Sequence, residues 1–186
     1  MKRLDGKNPI IAAVRDVNRI EEAVKSPVDI IFMMAGDILT VEECVAKVRE
    51  YQKIIFLHID LIRGIASDKD GVRYLARKVK PDGIVSTKNQ LIYAAKKEGL
   101  LTVHHVFLID TQAYETAIKN IFDTKPDMVE LMPGLMSRVI RQLGQVIECP
   151  IIAAGLIKSQ EEIEQALAAG ARGVAIGEPK LWTIVR

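Results

Sequence analysis

Short apolar runs alternate along the chain with longer segments in which apolar residues recur every three or four positions. The short runs are typical of buried β-strands, and the longer segments are typical of amphipathic helices. The apolar runs lie at residues 10–14, 28–33, 54–59, 83–86, 101–107, 127–132, 150–154 and 173–176. Because each run is followed by a polar turn and a helical segment, the pattern predicts eight strand–helix units.

The predicted strands are almost continuously apolar, which indicates a parallel sheet covered by helices. No shift in composition and no Ser/Gly-rich linker interrupts the pattern, so residues 1–186 are expected to form a single domain. The predicted fold class is α/β, a compact (β/α)8 TIM-like barrel. Since 186 residues are fewer than the roughly 200 to 250 typical of such barrels, the helices must be short. A doubly wound open sheet is the alternative, and it requires fewer strands.

Three helix starts have the spacing of a capping box, in which a hydroxyl and a carboxylate or amide bond reciprocally to the backbone. The three segments are residues 40–43, 87–90 and 159–162. We therefore expect Thr40, Thr87 and Ser159 to cap helices.

An apolar content of 49% allows a substantial core without disulfides or a structural metal. Cys44 and Cys149 lack the spacing of a metal knuckle or redox pair, so both are expected to be reduced packing residues. Polar residues follow Lys2 and Arg3 where a signal peptide would be apolar, and no apolar run approaches the roughly 20 residues of a membrane span. These features predict a soluble, cytoplasmic protein without a membrane partner.

Function in a βα barrel collects where strands end, so the polar residues at those positions are the candidates for chemistry. In chain order they are Arg15, His58, Asp60, Ser86, Thr87, Lys88, His104, His105 and Glu130. His58 and Asp60 suit either an acid–base pair or a structural polar cluster. No constellation of three metal ligands stands out, and no catalytic residue is assigned.

Glu130 lies inside an otherwise apolar strand, so its carboxylate needs a partner if it is buried. Arg15 or Lys88 is the expected partner. His104 and His105 are adjacent in a strand and must point to opposite faces, so at most one of them reaches the mouth of the barrel.

The segment from residue 150 to residue 178 resembles the phosphate site at strands 7 and 8 of the phosphate-binding barrel superfamily. Gly155 and Gly177 would let backbone N–H groups approach a phosphate, and a short helix opening at Pro179 would add its positive end. Tight turns would explain the two glycines equally well. Lys88 could face the same anion, whereas the capping box alone could account for Thr87.

Several longer motifs point to one family. They are 12–15 (AAVR), 58–65 (HIDLIRGI), 83–88 (GIVSTK), 107–111 (FLIDT), 129–134 (VELMPG), 154–157 (AGLI) and the closing pair Leu181-Trp182. With these motifs nearly the whole chain resembles the glycerol uptake operon antiterminator regulatory proteins. The resemblance implies a non-enzymatic barrel that binds glycerol 3-phosphate as its effector and acts on leader messenger RNA, so that transcription passes a terminator.

The ligand site expected from the motifs and the resemblance has eleven members. They are Arg15, His58, Asp60, Thr87, Lys88, Glu130, Gly134, Gly155, Leu156, Gly177 and Glu178. The chain departs from the family pattern in two places. Gly177 and Glu178 stand where Ser and Thr are frequent, and His105 stands where an arginine is expected. A carboxylate at residue 178 would repel a dianion unless it points away.

RNA binding would require a folded basic surface, because no stacking-aromatic motif or arginine-rich tail is present. The net charge of +2 neither demands nor excludes RNA. Candidate patches are Arg73, Arg77, Lys78 and Lys80, then Lys96 and Lys97, then Arg138 and Arg141, and each also suits an ordinary solvated helix face. A homo-oligomer is left open. The alternative function is a phosphate-binding barrel enzyme, an isomerase, aldolase or synthase that uses Asp60, Lys88 or Glu130.

Overall fold

Eight parallel strands close into a barrel in the computed structural model, which describes residues 8–184. The strands are β1 Ile10–Val14, β2 Ile30–Met33, β3 Ile54–His58, β4 Gly83–Ser86, β5 Leu101–Phe107, β6 Met128–Met132, β7 Ile151–Ala154 and β8 Gly173–Ile176. Each strand pairs with the next, and β8 pairs with β1 through Ile10–Val174 and Ala12–Ile176. The predicted barrel is confirmed and the open-sheet alternative is wrong. Both ends of the predicted domain, including residues 4–7, lie outside the described residues.

Short helices explain how the barrel fits into so few residues. They are α1 Ile20–Lys25, α2 Val41–Glu50, α3 Lys69–Tyr74, α4 Asn89–Lys97, α5 Thr111–Thr124, α6 Ser137–Gly144 and α7 Gln160–Ala168. Helix α3 continues through a π-helical turn at Leu75–Val79, and 3-10 turns lie at Val17–Arg19, Ile59–Leu61 and Pro179–Thr183. Among the helices of residues 8–184, none is long and apolar enough to cross a bilayer.

Alternating strand residues build two apolar layers. The inner layer fills the barrel and includes Phe32 and Phe56, whose rings lie 5.4 Å apart. The outer layer lies between strands and helices, and it includes Trp182 and the free thiol of Cys44. Trp182 is 1% exposed, and its Nε1 donates to the Ile176 carbonyl at 2.7 Å, so the final turn is anchored to β8.

One of the three predicted capping boxes is confirmed. Ser159 Oγ accepts from the Glu162 backbone, and the Glu162 carboxylate accepts from the Ser159 backbone. The other two predictions are wrong, since Thr40 makes no side-chain capping bond and α4 begins one residue later than predicted, with Lys88 as its N-cap residue. Thr40 Oγ1 donates to Asp37 Oδ1 at 3.0 Å, and the Thr87 N–H donates to the carboxylate of Asp60.

Candidate functional site

Two separate groups of residues lie at the barrel mouth. We call the first the strand 3–4 side, made of Asp60, Ser86, Thr87 and Lys88. We call the second the strand 7–8 side, made of Arg15, Gly155, Leu156, Lys158, Gly177, Glu178 and Lys180. The first group follows β3 and β4, and the second follows β7, β8 and β1.

The strand 7–8 side lines a cavity of about 1000 Å³. Six of the predicted ligand residues contribute to its wall, namely Arg15, Glu130, Gly155, Leu156, Gly177 and Glu178. Phe107 and Met132 supply apolar wall, and Lys158 and Lys180 supply cations that the sequence analysis did not single out. The cavity has the size and mixed lining of a small-molecule site.

The backbone at the strand 7–8 side leaves several donors free. Gly155 has φ of +77° and Leu156 has φ of +64°, so two successive residues adopt the left-handed conformation. Within residues 8–184, the N–H groups of Gly155, Leu156, Gly177 and Glu178 donate no hydrogen bond to the backbone. A Cβ on Gly177 would lie 3.9 Å from Arg15 Nε, so this open turn faces the guanidinium. Free N–H groups beside a cation are suited to an anion.

The charges around this cavity are unbalanced. Arg15, Lys158 and Lys180 form no ion pair with any carboxylate in the described part of the chain. The acids on the cavity wall are Glu130, which is buried and bonded to a histidine, and Glu178, which is exposed. The unpaired cations therefore favour a negatively charged occupant.

The charged members of the strand 3–4 side are paired with one another. Asp60 Oδ2 accepts from Ser86 Oγ at 2.7 Å and from the Thr87 N–H at 3.3 Å, and Asp60 Oδ1 lies 3.3 Å from Lys88 Nζ. Burial alone would raise the pKa of Asp60, but the hydrogen bonds from Ser86 and Lys88 outweigh it and the pKa is lowered. None of these residues lines the cavity.

The partner of Glu130 is His105, so the prediction of Arg15 or Lys88 is wrong. His105 Nδ1 lies 2.5 Å from Glu130 Oε2, inside the barrel. The reason is register, since Glu130 and His105 are directly paired between β5 and β6 and point to the same face. His104 points outward, with its Nδ1 3.3 Å from Thr124 Oγ1, which confirms that the two histidines face opposite ways.

His58 completes a buried group with His105 and Glu130. The rings of His58 and His105 lie 5.2 Å apart. Burial lowers the pKa of His58, with the neighbouring His105 acting in the same direction. No set of three metal ligands is apparent in the sequence, yet the structure brings three candidate ligands together. Sequence spacing could not show it, because the residues come from three different strands.

Gly134 has a packing role in the structure. Its N–H donates to the Gly155 carbonyl at 3.2 Å, and a Cβ there would lie 2.8 Å from Ala154 N. Any side chain would push the turn after β6 away from the turn after β7. Gly134 therefore positions Gly155 and does not itself line the cavity.

The sequence family described as glycerol-3-phosphate responsive antiterminator matches residues 10–182. The chain belongs to this family. The match begins in β1 and ends at Trp182, so it includes every strand of the barrel. The resemblance inferred from the motifs is confirmed, and the family is one of regulators by its description.

Three relatives show how far the likeness to the antiterminator family extends. The uncharacterized protein YgcP of Escherichia coli (strain K12) is 31% identical over 180 residues, covering 97% of this chain and 94% of that protein. The glycerol uptake operon antiterminator regulatory protein of Listeria monocytogenes (strain 4b F2365) has a TM-score of 0.90 at 29% identity, covering 93% of this chain and 94% of that chain. A glycerol uptake operon antiterminator-related protein of Thermotoga maritima MSB8 has a TM-score of 0.84 at 28% identity, covering 95% and 99%.

Proposed function

We propose that this protein is a glycerol-3-phosphate-responsive, RNA-binding antiterminator whose effector binds in the cavity of the strand 7–8 side. The observation that carries the proposal is the set of three unpaired cations and four free N–H groups around one cavity. A phosphate dianion satisfies both at once, because it accepts several hydrogen bonds and carries the opposite charge. Membership of the antiterminator family supports glycerol 3-phosphate as the effector.

The phosphate is assigned to the turns at Gly155 and Gly177, where the N–H groups are free and Arg15 is near. The carbon chain would then lie over the apolar wall formed by Met132 and its neighbours. In this arrangement Leu156 contacts the ligand through its backbone, since its side chain is 64% exposed.

His58, Asp60, Thr87 and Lys88 stay predictions as ligand contacts. The bonds of Asp60 to Ser86, Thr87 and Lys88 favour a different task, which is to hold the ends of β3 and β4 together. The same bonds weigh against the enzyme alternative, because Asp60 and Lys88 neutralise each other away from the cavity. Turnover of a phosphosugar that disappears in Asp60→Asn would overturn the regulator proposal.

Thermal melting with glycerol 3-phosphate, glycerol and inorganic phosphate at one ionic strength tests the effector. Binding to the folded state alone stabilises it by about 2.7 kcal/mol at a hundredfold excess of ligand over Kd. We expect this shift with glycerol 3-phosphate and little with the other two. A larger shift with a different phosphosugar would favour the enzyme alternative.

Gly155→Asp should abolish the shift, because it places a carboxylate and extra bulk at the phosphate position. Gly99→Asp is the matched control. Gly99 also has a positive φ, +78°, but it precedes β5 at the opposite end of the barrel, and no atom lies within 4 Å of its Cβ position. If Gly155→Asp folds and binds like Gly99→Asp, the phosphate assignment is wrong.

Some basic side chains proposed for RNA are already engaged within the protein. Arg77 Nε lies 3.0 Å and Arg73 Nε lies 3.5 Å from the Glu98 carboxylate. Lys96 Nζ donates to the Thr124 carbonyl at 3.0 Å. These contacts leave less free charge on α3 and α4.

We assign RNA contact to α6, where Arg138 and Arg141 are exposed and unpaired within residues 8–184. Fluorescence anisotropy with a glycerol-operon leader RNA tests this assignment. Replacing both arginines with alanine should weaken binding and reduce the salt slope by about 2. The control replaces Arg73 and Arg77 in the same way and should change binding less. Glycerol 3-phosphate must also alter RNA affinity, because an effector acts only through differential binding.

A further inference from the structure

His58, His105 and Glu130 form a polar group enclosed in the apolar barrel interior. Their exposed fractions are 5%, 2% and 1%. One candidate donor atom from each residue can be chosen so that all three lie within 4.8 Å of one another. The proposed phosphate position does not use this group, since it lies at the turns after β7 and β8.

The hydrogen bonds of this group are incomplete. The pair formed by His105 Nδ1 and Glu130 Oε2 uses one atom of each residue. His58 Nδ1, His105 Nε2 and Glu130 Oε1 are buried and have no hydrogen-bond partner within residues 8–184. Buried polar atoms in folded proteins normally have a partner, and an unpaired one costs free energy. These three unpartnered atoms belong to the three side chains of one buried cluster, which favours an occupant that bonds to this cluster.

We propose that His58, His105 and Glu130 bind one divalent transition-metal ion. Two imidazoles and one carboxylate are a ligand set that proteins use for Zn²⁺ and for Fe²⁺. The set contains no thiolate, which argues against Cu⁺. The three residues lie on β3, β5 and β6, so the barrel itself fixes their positions.

The distances are compatible with a small adjustment on binding. Donors that share one tetrahedral ion at about 2.1 Å lie about 3.4 Å apart. The separations here reach up to 4.8 Å, so the most distant pair would have to approach by about 1.4 Å, or about 0.7 Å from each side chain. Three protein ligands leave a coordination position open. Because Glu130 also lines the cavity, the metal would adjoin the space that we assign to the effector.

Cobalt binding to tag-free protein tests the site directly. The protein is stripped with a chelator and titrated with Co²⁺ while the visible d–d absorption and the heat of binding are recorded. We expect about one equivalent to bind, with competition by Zn²⁺. X-ray absorption of the bound Co²⁺ should show two imidazole ligands. Absence of stoichiometric binding, or a coordination sphere without imidazole, would overturn the proposal.

Variants separate this site from adventitious binding. His58→Asn leaves the His105–Glu130 pair intact and should lower Co²⁺ affinity by at least about 100-fold. His104→Gln is the matched control, because His104 is a buried histidine of the same strand as His105 that faces outward to Thr124. Its Co²⁺ affinity should equal that of the parent. Equal affinity in His58→Asn, or a loss confined to His104→Gln, would contradict the assignment.

The metal site and the effector site can fail independently. Gly155→Asp should remove the response to glycerol 3-phosphate while the Co²⁺ spectrum persists. A protein that binds glycerol 3-phosphate but no metal would refute only the metal proposal. A protein that binds metal but no glycerol 3-phosphate would refute only the effector proposal.

Discussion

On one side of the barrel mouth, Asp60 accepts hydrogen bonds from Ser86 and Thr87 and forms an ion pair with Lys88. On the other side, Arg15 and Lys180 have no carboxylate partner in the described part of the chain. The strand 3–4 side thus satisfies its charges internally, and the strand 7–8 side does not. Charges that are already paired give local stability, while unpaired cations around a cavity are available to a ligand. Both sides contain polar residues at strand ends, so a position at the end of a strand does not by itself show which side binds the ligand.

Among alanine substitutions at the barrel mouth, Arg15→Ala should give the largest effect on effector binding. A hydrogen bond to a charged group contributes about 1.5–3 kcal/mol, which corresponds to a loss of about 10- to 150-fold in affinity for glycerol 3-phosphate. Isothermal titration measures the change. The stability of the ligand-free protein should alter by less than about 0.5 kcal/mol, because Arg15 is exposed and unpaired. If the variant bound glycerol 3-phosphate as tightly as the parent, the strand 7–8 side would no longer be distinguished as the ligand-binding side.

Asp60→Ala should lower the stability of the protein more than its affinity for the effector. Loss of the carboxylate leaves the buried Ser86 hydroxyl without its acceptor, and we expect a loss of about 1–3 kcal/mol in the free energy of unfolding by urea. Affinity for glycerol 3-phosphate should change by less than about threefold, or well under 1 kcal/mol. A large fall in affinity with stability unchanged would instead support Asp60 as the ligand contact predicted from sequence.

Of the three alanine substitutions, Lys158→Ala should have the smallest overall free-energy effect. Its ammonium group lies on an exposed residue of the cavity wall, where screening limits an ion pair to about 0.2–1 kcal/mol. We expect affinity for glycerol 3-phosphate to fall by about two- to fivefold at low salt, and by less at high salt. An effect that is large and independent of salt would show that Lys158 makes a buried contact with the ligand.

Hydrophobic patterning was sufficient to predict the barrel. Each predicted strand overlaps an observed one, because a strand covered on both faces must be apolar along its length. The helix boundaries were harder, as Thr40 and Thr87 show. The capping-box motif indicates only which neighbouring backbone groups a hydroxyl can bond. It cannot show that Asp60, 27 residues before Thr87, accepts a hydrogen bond from the Thr87 N–H.

The candidate site was predicted in part. Gly155 and Gly177 were found because their motif is local in sequence, and both line the cavity. The partner of Glu130 was missed because the alternation of a strand shows which way a residue points but not which inward residue of another strand lies opposite. The pairing of β5 with β6 sets that answer, and it became visible only in the structure.

The pairing of β1 with β8, together with the Trp182 anchor, has a consequence for synthesis on the ribosome. The first strand emerges early, but its partner on one edge is made only after about 160 further residues, as the separation of Ile10 from Val174 shows. Until then that edge has exposed hydrogen-bonding groups, a state that favours association with other chains. Nascent chains of this protein should therefore depend on chaperones until residue 182 has left the exit tunnel, whereas a truncation before β8 should accumulate as aggregate.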